Sequence, residues 1–351
     1  MRVEFVNKRI EDLRQYMLEN GFDCLIITDS ANMRYFSGFT GEGYILVTES
    51  KLVIVTDFRY TEQARQQAAG YEVFDRVDFE LHTFMKDFEK TGFENRTISY
   101  NGYQQFSKSV KNLCGVDDAF TDFRAVKTPD EIELIRTAEG IGDMAFEHIL
   151  GFIKPGVSER DIALEIEFFM RSHGAEALSF DTIAACGAHG AMPHAEPDDR
   201  KISKGDFVVL DFGCKYRGYC SDMTRTVSVG NADAEKKKVY DTVLKAQLAS
   251  IDMLCKGAVP SAVHNNAQKI IDGIYPGSFG HSLGHGVGLE IHENPTLSPR
   301  NNIPLEKGNV VTVEPGIYLS GFCGVRIEDV VVIDDNGVQN LTKSNKKLIE
   351  I

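Results

Sequence analysis

Apolar and polar positions alternate along the first third of the chain in short, distinct segments. Ile10, Leu13, Met17 and Leu18 recur at helical spacing, and Gly21 follows them as a helix stop. Further apolar runs predict strands over residues 24–28, 44–48, 52–56, 71–77 and 97–100, and amphipathic runs predict helices over residues 60–69, 79–90 and 104–113. Strands interleaved with helices in this way predict an α/β layered domain.

A helix start near residue 128 marks the expected boundary between two domains. Thr128 is suited to the N-cap, Pro129 to the first helical position and Glu131 to the third. The amphipathic stretch that follows predicts a long helix. The sequence therefore predicts two domains, over residues 1–127 and 128–351.

The second domain shows signs of an internal repeat. Residues 154–158 recur in altered form at 256–261, and each copy lies between a long predicted helix and a shorter one. Strand-rich segments follow, and acidic residues occupy matching places in them: Asp211 and Asp222 in the first half, Glu314 and Glu328 in the second. Either these matches are coincidental in an acidic chain, or two halves face each other across a pseudo-two-fold axis and supply two carboxylates each to one site.

Charge and cysteine content exclude several classes of function. The net charge of −14 disfavours a nucleic-acid partner. No apolar run is long enough to span a membrane, and the N-terminal residues lack the apolar core of a secretory signal. The seven cysteines form no C-x-x-C pair, which argues against a zinc ribbon or a disulfide framework and indicates a reducing, cytoplasmic location.

The four acids of the repeat predict a metal centre. All four lie in or beside apolar strands, where an unpaired carboxylate is costly to bury. Carboxylates that converge on one site repel each other, and divalent cations are the natural remedy. Four carboxylates with one imidazole are too many ligands for a single tetrahedral zinc; they suit two metal ions, with Mn²⁺ favoured over Zn²⁺.

The histidines that could complete such a site lie mostly in one glycine-rich segment. His281, His285 and His292 fall between Gly280 and Glu293, and His194 is a fourth candidate. The segment contains no H-E-x-x-H, so the single-zinc metalloprotease motif is excluded.

Residues 280–284 also match G-x-S-x-G, the nucleophile elbow of serine hydrolases, with Ser282 as the nucleophile. That fold places its catalytic histidine well after the serine. His292, only ten positions later, is the last histidine of the chain. The serine-hydrolase interpretation is therefore disfavoured.

Five ordered motifs resemble those of a known family. They are Asp211-Phe212-Gly213, Ser221-Asp222-Met223-Thr224-Arg225-Thr226, Gly284-His285-Gly286, Thr312-Val313-Glu314-Pro315-Gly316 and Val325-Arg326-Ile327-Glu328-Asp329. They look like the metal-ligand motifs of the Xaa-Pro peptidases, the "pita-bread" family of aminopeptidase P and prolidase. Residues 1–127 resemble the creatinase-like N-terminal domain of that family, so the resemblance covers the whole chain.

The resemblance implies a role for each matching residue. It makes Asp211, Asp222, His285, Glu314 and Glu328 the ligands of two divalent ions per subunit, with Mn²⁺ as the expected metal and Co²⁺ or Zn²⁺ as alternatives. Asp222 and Glu328 would bridge the ions. Catalytic roles would belong to His194, His292 and Glu314, and His281 and Arg326 would line or support the substrate pocket. The expected partners are proline-containing peptides and a second copy of the chain in a homodimer.

Two positions bear on substrate length. Thr296 stands where some prolidases carry an arginine for the carboxylate of a dipeptide, although Arg300 is close enough in sequence to substitute. The segments 38–43 and 57–60 also look closer to aminopeptidase P. The sequence therefore predicts an Xaa-Pro aminopeptidase, with Xaa-Pro dipeptidase as the alternative. A metal-free creatinase-like hydrolase or a binding module is a third interpretation, and the role of His189 is open.

Overall fold

The computed structural model describes residues 3–351, and their side chains from residue 8 onward. It divides into two compact units, residues 1–124 and 125–351. No helix among the described residues is both long enough and apolar enough to cross a membrane. All seven cysteines are free thiols.

The first unit is a mixed six-stranded sheet with helices. Its elements are α1 (Val3–Asn20), β1 (Cys24–Ile27), α2 (Ser30–Ser37), β2 (Tyr44–Thr48), β3 (Leu52–Thr56), α3 (Thr61–Gln67), β4 (Glu72–Asp75), α4 (Leu81–Met85), β5 (Thr91–Phe93), α5 (Tyr100–Ser107), β6 (Leu113–Gly115) and α6 (Ala119–Phe123). The strand order is β4-β3-β2-β1-β5-β6. The β1–β2 and β2–β3 pairs are antiparallel and the others parallel. The apolar runs at β1, β2 and β3 lie in the core, as their composition predicts.

The strand predicted over residues 97–100 is wrong. Ser99 instead caps α5, because its hydroxyl accepts a hydrogen bond from the N–H of Gly102 at 3.1 Å. The strand lies earlier, at β5, where Gly92 interrupts the apolar pattern. A Cβ at Gly92 would lie 2.4 Å from a methyl carbon of Leu25, so close packing requires glycine in this strand.

The lengths of several predicted helices also differ from the structure. The helix predicted over residues 104–113 begins at Tyr100 and ends at Ser107, and the one over residues 79–90 is reduced to α4. The helix α2 was not predicted. Asp29 caps it by accepting from the N–H of Asn32 at 3.0 Å, a local signal stronger than the weak apolar pattern around it.

The second unit contains two halves of similar make-up. The first has α7 (Pro129–Leu150), α8 (Glu159–Ser172), β7 (Ala177–Leu178), β8 (Ile183–Cys186), a 3₁₀ turn (Gly187–Ala191), β9 (Phe207–Phe212), β10 (Cys214–Tyr216), β11 (Tyr219–Cys220) and β12 (Met223–Ser228). The second has α9 (Ala234–Asp252), α10 (Pro260–Asp272), β13 (Gly284–Gly286), β14 (Glu293–Leu297), β15 (Val310–Val313), β16 (Gly316–Leu319), β17 (Cys323–Arg326), β18 (Asp329–Asp334) and β19 (Gly337–Asn340). Each half thus has two helices followed by strands, as the repeat predicts.

Each helix pair covers its own sheet. The pair α7–α8 packs on the sheet β12-β9-β8, and the pair α9–α10 packs on the sheet β14-β13-β15-β18-β19. The capping box predicted at the start of α7 is present, with Thr128 paired to Glu131, and Ser158 and Asp161 form a second capping box at the start of α8. The helices therefore leave the opposite faces of the two sheets free to form a site.

Candidate metal centre

Each half contributes two acids from one antiparallel strand pair. In the first half, Asp211 lies in β9 and Asp222 directly precedes β12; β9 and β12 pair in register. In the second half, Glu314 directly follows β15 and Glu328 directly precedes β18, and these two strands also pair. The two halves are in contact at these acids. The hydroxyl of Thr224, in the first half, donates to Glu328 Oε2, in the second half, at 2.7 Å.

His285 reaches the acids from β13, between two glycines. A Cβ at Gly284 would lie 2.0 Å from the carbonyl oxygen of Thr312, so only glycine allows the strands this close. The Thr312 hydroxyl accepts from the N–H of His285 at 3.0 Å and donates to Glu314 Oε1 at 3.1 Å. One threonine therefore orients both side chains.

The ring of His285 is set to offer Nε2 to the acids. Its Nδ1–H donates to the Gly286 carbonyl at 3.2 Å, which leaves the lone pair on Nε2. Nε2 lies 3.5 Å from Asp222 Oδ2 and 3.4 Å from Glu314 Oε1. Three potential ligand atoms lie within 4.8 Å of one another, one each from Asp222, His285 and Glu328. At this spacing three side chains can share an ion.

Arg326 is a buried cation beside the four acids. Its guanidinium donates to Asp211 Oδ2, to the hydroxyl of Thr224 at 3.0 Å and to that of Tyr318 at 2.8 Å. The Tyr318 hydroxyl also lies 3.0 Å from His281 Nε2. Arg326 is thus held by its partners and balances part of the negative charge.

Burial sets the protonation of these groups in the absence of a cation. It raises the pKa of Glu314 to about 8 and, together with the neighbouring carboxylates, raises the pKa of Asp222 and Glu328. Burial lowers the pKa of His285 to about 3 and that of His281 to about 4, so both imidazoles are neutral near pH 7. A neutral imidazole among carboxylates is a ligand set for a divalent cation.

The fit to a metal ion can be tested on Asp211. Its Oδ2 accepts from Arg326, whereas its Oδ1 is buried and lacks a hydrogen-bond partner among the described residues. An orphaned buried carboxylate oxygen is costly unless a cation faces it. The four carboxylates and one imidazole together are an oxygen-rich donor set that suits Mn²⁺. The residues present therefore fit the implied metal.

A cavity of about 610 Å³ opens onto this centre. The sequence-predicted residues His194, His281 and His292 line it, as do Ser282 and Thr296. The apolar lining side chains are Phe180, Ile183, Pro193, Ala195, Pro197 and Ile291, and Asp181, Thr182, Glu196 and Tyr318 are further polar ones. Arg300 is exposed and is not among the described residues that line the cavity. All nine sequence-predicted site residues thus line one cavity, and Arg326 is the one Lys or Arg in the described lining.

Sequence reasoning missed several residues that organise the centre. Thr224, Thr312 and Tyr318 connect the charged groups but carry no charge themselves. Glu139 lies in α7, is fully buried, and accepts from the N–H of Asp222 at 2.8 Å. The sequence did mark Glu139, as an acid on the apolar face of an amphipathic helix. Nothing in the sequence marked the two threonines except their place in the motifs.

A second cluster lies outside the cavity lining and includes His189. Glu159, His189 and Asp198 bring potential ligand atoms within 4.8 Å of one another. Nδ1–H of His189 donates to Glu159, and Asp198 Oδ1 already accepts from the N–H of Arg200 at 2.7 Å. These hydrogen bonds occupy both oxygens of Glu159 and one oxygen of Asp198.

Comparison with known proteins identifies two matching families. Residues 133–335 match the family described as Metallopeptidase family M24, and residues 9–126 match the Creatinase/Prolidase N-terminal domain. A curated relative, the Xaa-Pro dipeptidase of Pyrococcus furiosus, is 38% identical over 98% of this chain and 100% of its own.

Two solved structures show the same fold over the full length. The Xaa-Pro dipeptidase of Bacillus anthracis superposes with a TM-score of 0.95 at 41% identity, over 99% of this chain and 100% of that one. The X-Pro aminopeptidase of Thermotoga maritima superposes with a TM-score of 0.90 at 36% identity, over 98% and 100%.

Proposed function

The chain belongs to metallopeptidase family M24 and carries a creatinase/prolidase N-terminal domain, and from this premise we propose that it is a dinuclear Xaa-Pro dipeptidase. Family membership confirms three predictions made from the motifs: the family, the α/β fold with a creatinase-like domain followed by a pita-bread domain, and a hydrolase activity. The chain is a metallopeptidase of the Xaa-Pro type.

The observation that supports this proposal best is the convergence of five donor side chains beside one cavity. When Asp211, Asp222, Glu314 and Glu328 are ionised, Arg326 leaves three formal negative charges among these five side chains, and Asp181 and Glu196 add further negative charge to the lining. One divalent cation leaves one of these negative charges uncompensated, and a second brings the formal sum of the five side chains to +1. We therefore propose two ions per chain held by Asp211, Asp222, His285, Glu314 and Glu328, with Mn²⁺ as the metal and Co²⁺ or Zn²⁺ as alternatives.

Bound divalent cations supply Lewis acidity and lower the pKa of water, which makes a nucleophile available near neutral pH. Glu314 is placed to accept the proton of the attacking water, because its carboxylate lies at the centre and at the cavity wall. Arg326 and Thr224 hold Asp211 and Glu328 in fixed orientations, so little reorganisation is needed during the reaction.

The cavity histidines are suited to bind the peptide itself. Burial lowers the pKa of His292, so its neutral ring can donate a hydrogen bond to the scissile carbonyl oxygen as charge develops there. His194, which also lines the cavity, is proposed to hold the scissile nitrogen. Proline has a rigid ring and no N–H, and the apolar side chains Phe180, Ile183 and Ile291 are suited to such a ring.

The relatives favour the dipeptidase over the aminopeptidase that the sequence predicted. Curated relatives from Pyrococcus furiosus and Pyrococcus horikoshii, 38% and 35% identical over nearly the whole chain, are named Xaa-Pro dipeptidase. Aminopeptidase P activity is the second candidate. It is favoured by the uncharged Thr296 in the cavity lining, by the exposure of Arg300 outside it and by the likeness to the Thermotoga structure.

The ratio of kcat/KM values for an Xaa-Pro dipeptide and the matching Xaa-Pro-Yaa tripeptide decides between these activities. The dipeptidase proposal predicts a preference of at least tenfold for the dipeptide, which corresponds to about 1.4 kcal/mol. The C-terminal amide of the same dipeptide is the matched control, because it removes only the carboxylate charge. Equal rates, or faster cleavage of the tripeptide, would establish aminopeptidase P activity instead.

We further propose that the chain forms a homodimer, as its resemblance to the family implies. Light scattering at micromolar concentration should give twice the chain mass of 39.1 kDa. A fully active monomer would refute the dimer. The cytoplasmic location indicated by the free cysteines stays a prediction.

A further inference from the structure

Glu159 is a buried carboxylate that the proposed chemistry does not use. It is the first residue of α8 and is fully buried. Its oxygens accept from the N–H of Cys186 at 2.7 Å, from His189 Nδ1–H at 2.8 and 2.9 Å and from the N–H of Asp198 at 3.3 Å. The N-terminal end of a helix also favours a negative charge.

The three donors belong to one loop and its two ends. Cys186 ends β8, His189 lies in the 3₁₀ turn that follows, and Asp198 closes the loop; we call residues 187–198 the wall loop. The start of α8 holds the far end of this loop by its backbone as well. The N–H of Arg160 donates to the Asp198 carbonyl at 3.0 Å. One carboxylate therefore binds the beginning, the middle and the end of the wall loop.

The wall loop forms one side of the cavity. Five consecutive residues, 193–197, line the cavity, and His194 is among them. The Pro193 carbonyl accepts from Arg326 at 3.3 Å, so the loop also meets the side chain that holds Asp211. Glu159 and His189 are not themselves among the described lining residues. Any effect they have on the reaction must pass through the loop.

We propose that Glu159 and His189 are positioning residues that fix the wall loop, and through it the imidazole of His194, against the metal centre. The inference rests on the proposed function, since it assigns His194 a role in binding the peptide. A side chain that orients a substrate must be held closely, because a misplacement of about 1 Å can cost about 100-fold in rate. Three N–H donors on one buried carboxylate supply that constraint.

The variant Glu159→Gln removes the charge and one acceptor oxygen while preserving the size of the side chain. The NH₂ group of the new amide is a donor and cannot accept the hydrogen bonds that one Glu159 oxygen accepts. We therefore expect kcat/KM for an Xaa-Pro peptide to fall by about 10- to 100-fold. Ser158→Ala is the matched control. It removes the cap of the same helix, which accepts from the N–H of Asp161 at 3.1 Å, but leaves the contacts of Glu159 in place. Its kcat/KM should stay within about twofold of the wild-type value.

His189 allows a second, independent pair of variants. In His189→Asn the amide nitrogen takes the place of Nδ1 and can still donate to Glu159, whereas His189→Leu cannot donate. We expect kcat/KM to be retained in the asparagine variant and lost in the leucine variant. Equal activity of the two would overturn the role of this hydrogen bond, even if Glu159→Gln does not fold.

A double-mutant cycle with His194→Ala separates positioning from general destabilisation. If Glu159 acts through His194, Glu159→Gln should lower kcat/KM by less than about threefold once His194 is alanine. If the two losses multiply, the proposed route through His194 is wrong.

Amide hydrogen exchange tests the same inference without any activity. Amides of the wall loop should exchange at least about tenfold faster in Glu159→Gln than in the wild-type chain, and their exchange should be unchanged in Ser158→Ala. Unchanged exchange in Glu159→Gln would overturn the positioning role. Failure of the wild-type chain to cleave any Xaa-Pro peptide, with the exchange result intact, would instead overturn the proposed function and with it the catalytic purpose of the loop.

Discussion

Two threonine hydroxyls arrange the charged residues of the centre, one in each half. Thr224 accepts from Arg326 and donates to Glu328, and Thr312 accepts from the backbone of His285 and donates to Glu314. Each hydroxyl has one donor and can accept, so it can bridge a cationic or N–H group and a carboxylate at once. The charged residues are therefore held in place before substrate binds.

His292 tests the proposed chemistry at the level of one side chain. His292→Ala removes a hydrogen-bond donor from the cavity but no proposed metal ligand. We expect kcat to fall by about 100-fold or more while the metal content is unchanged. Ser282→Ala is the control within the same lining and should keep its activity. The serine-hydrolase interpretation would instead make this variant inactive. Near-normal turnover in His292→Ala, or labelling of Ser282 by a serine-directed inhibitor, would contradict these roles.

The buried side chain of His264, which is not one of the proposed metal ligands, should make the stability of the fold depend on pH. It is buried in α10 beside Phe279, its Nδ1 lacks a hydrogen-bond partner among the described residues, and burial lowers its pKa. Because the unfolded chain binds the proton more readily, the free energy of unfolding should decrease as pH falls below about 6.5, the unfolded pKa of histidine.

His264→Leu should remove this contribution. Urea denaturation at pH 7 and pH 5 gives the unfolding free energy of both proteins. The wild type should lose more unfolding free energy between pH 7 and pH 5 than His264→Leu does. The slope is at most about 1.4 kcal/mol per pH unit for one proton. A difference that does not change with pH would show that His264 does not titrate differently on folding.

At the scale of elements, Arg225 ties β12 to β18 and to the C-terminal segment. Its buried guanidinium donates to Asp329 Oδ1 at 2.8 Å and to the carbonyls of Ser344 at 2.8 Å and Asn345 at 3.2 Å. Lys346 donates to the other oxygen of Asp329 at 2.6 Å. Arg225 also donates to the carbonyl of Glu328, so the network contacts the backbone of a proposed metal ligand.

Breaking this network should be costly, because it removes one of the two cations paired with the buried Asp329 and the donor of two C-terminal carbonyls. We expect Arg225→Met to lower the free energy of unfolding by about 3–5 kcal/mol. Arg136→Met is the matched control: that arginine pairs with Glu133 at the surface of α7, and its loss should change stability by less than about 0.5 kcal/mol. Similar values for the two variants in urea denaturation would contradict the account.

The sequence predicted the elements best where one local signal dominates. The cap of α7 follows from Thr128, and the buried strands β1 to β3 follow from their apolar runs. It failed at β5, where Gly92 is required by packing against Leu25. That requirement arises from residues distant in sequence, which no local pattern contains.

At the scale of the whole molecule, the centre depends on two halves that are far apart in sequence. The motifs predicted which side chains converge, but the hydroxyl of Thr224 on Glu328 and the donation from Arg326 to Asp211 join residues more than 100 positions apart. Such contacts are set by how the two sheets meet. Substrate length was not predictable from Thr296 alone, because one uncharged side chain says little about the rest of a cavity wall.

The binding of two metal ions by the converging carboxylates is the central claim, and a metal count tests it most directly. Chelator-treated protein is titrated with Mn²⁺, desalted and analysed for metal, in parallel with turnover of an Xaa-Pro dipeptide. The wild-type chain should bind two ions and gain activity with them, whereas Glu328→Gln should lose at least one ion and the activity. Glu196→Gln, an exposed acid in the same cavity lining, should retain two ions. Two tightly bound ions and full turnover in Glu328→Gln, or turnover by wild-type protein without any divalent ion, would contradict the account.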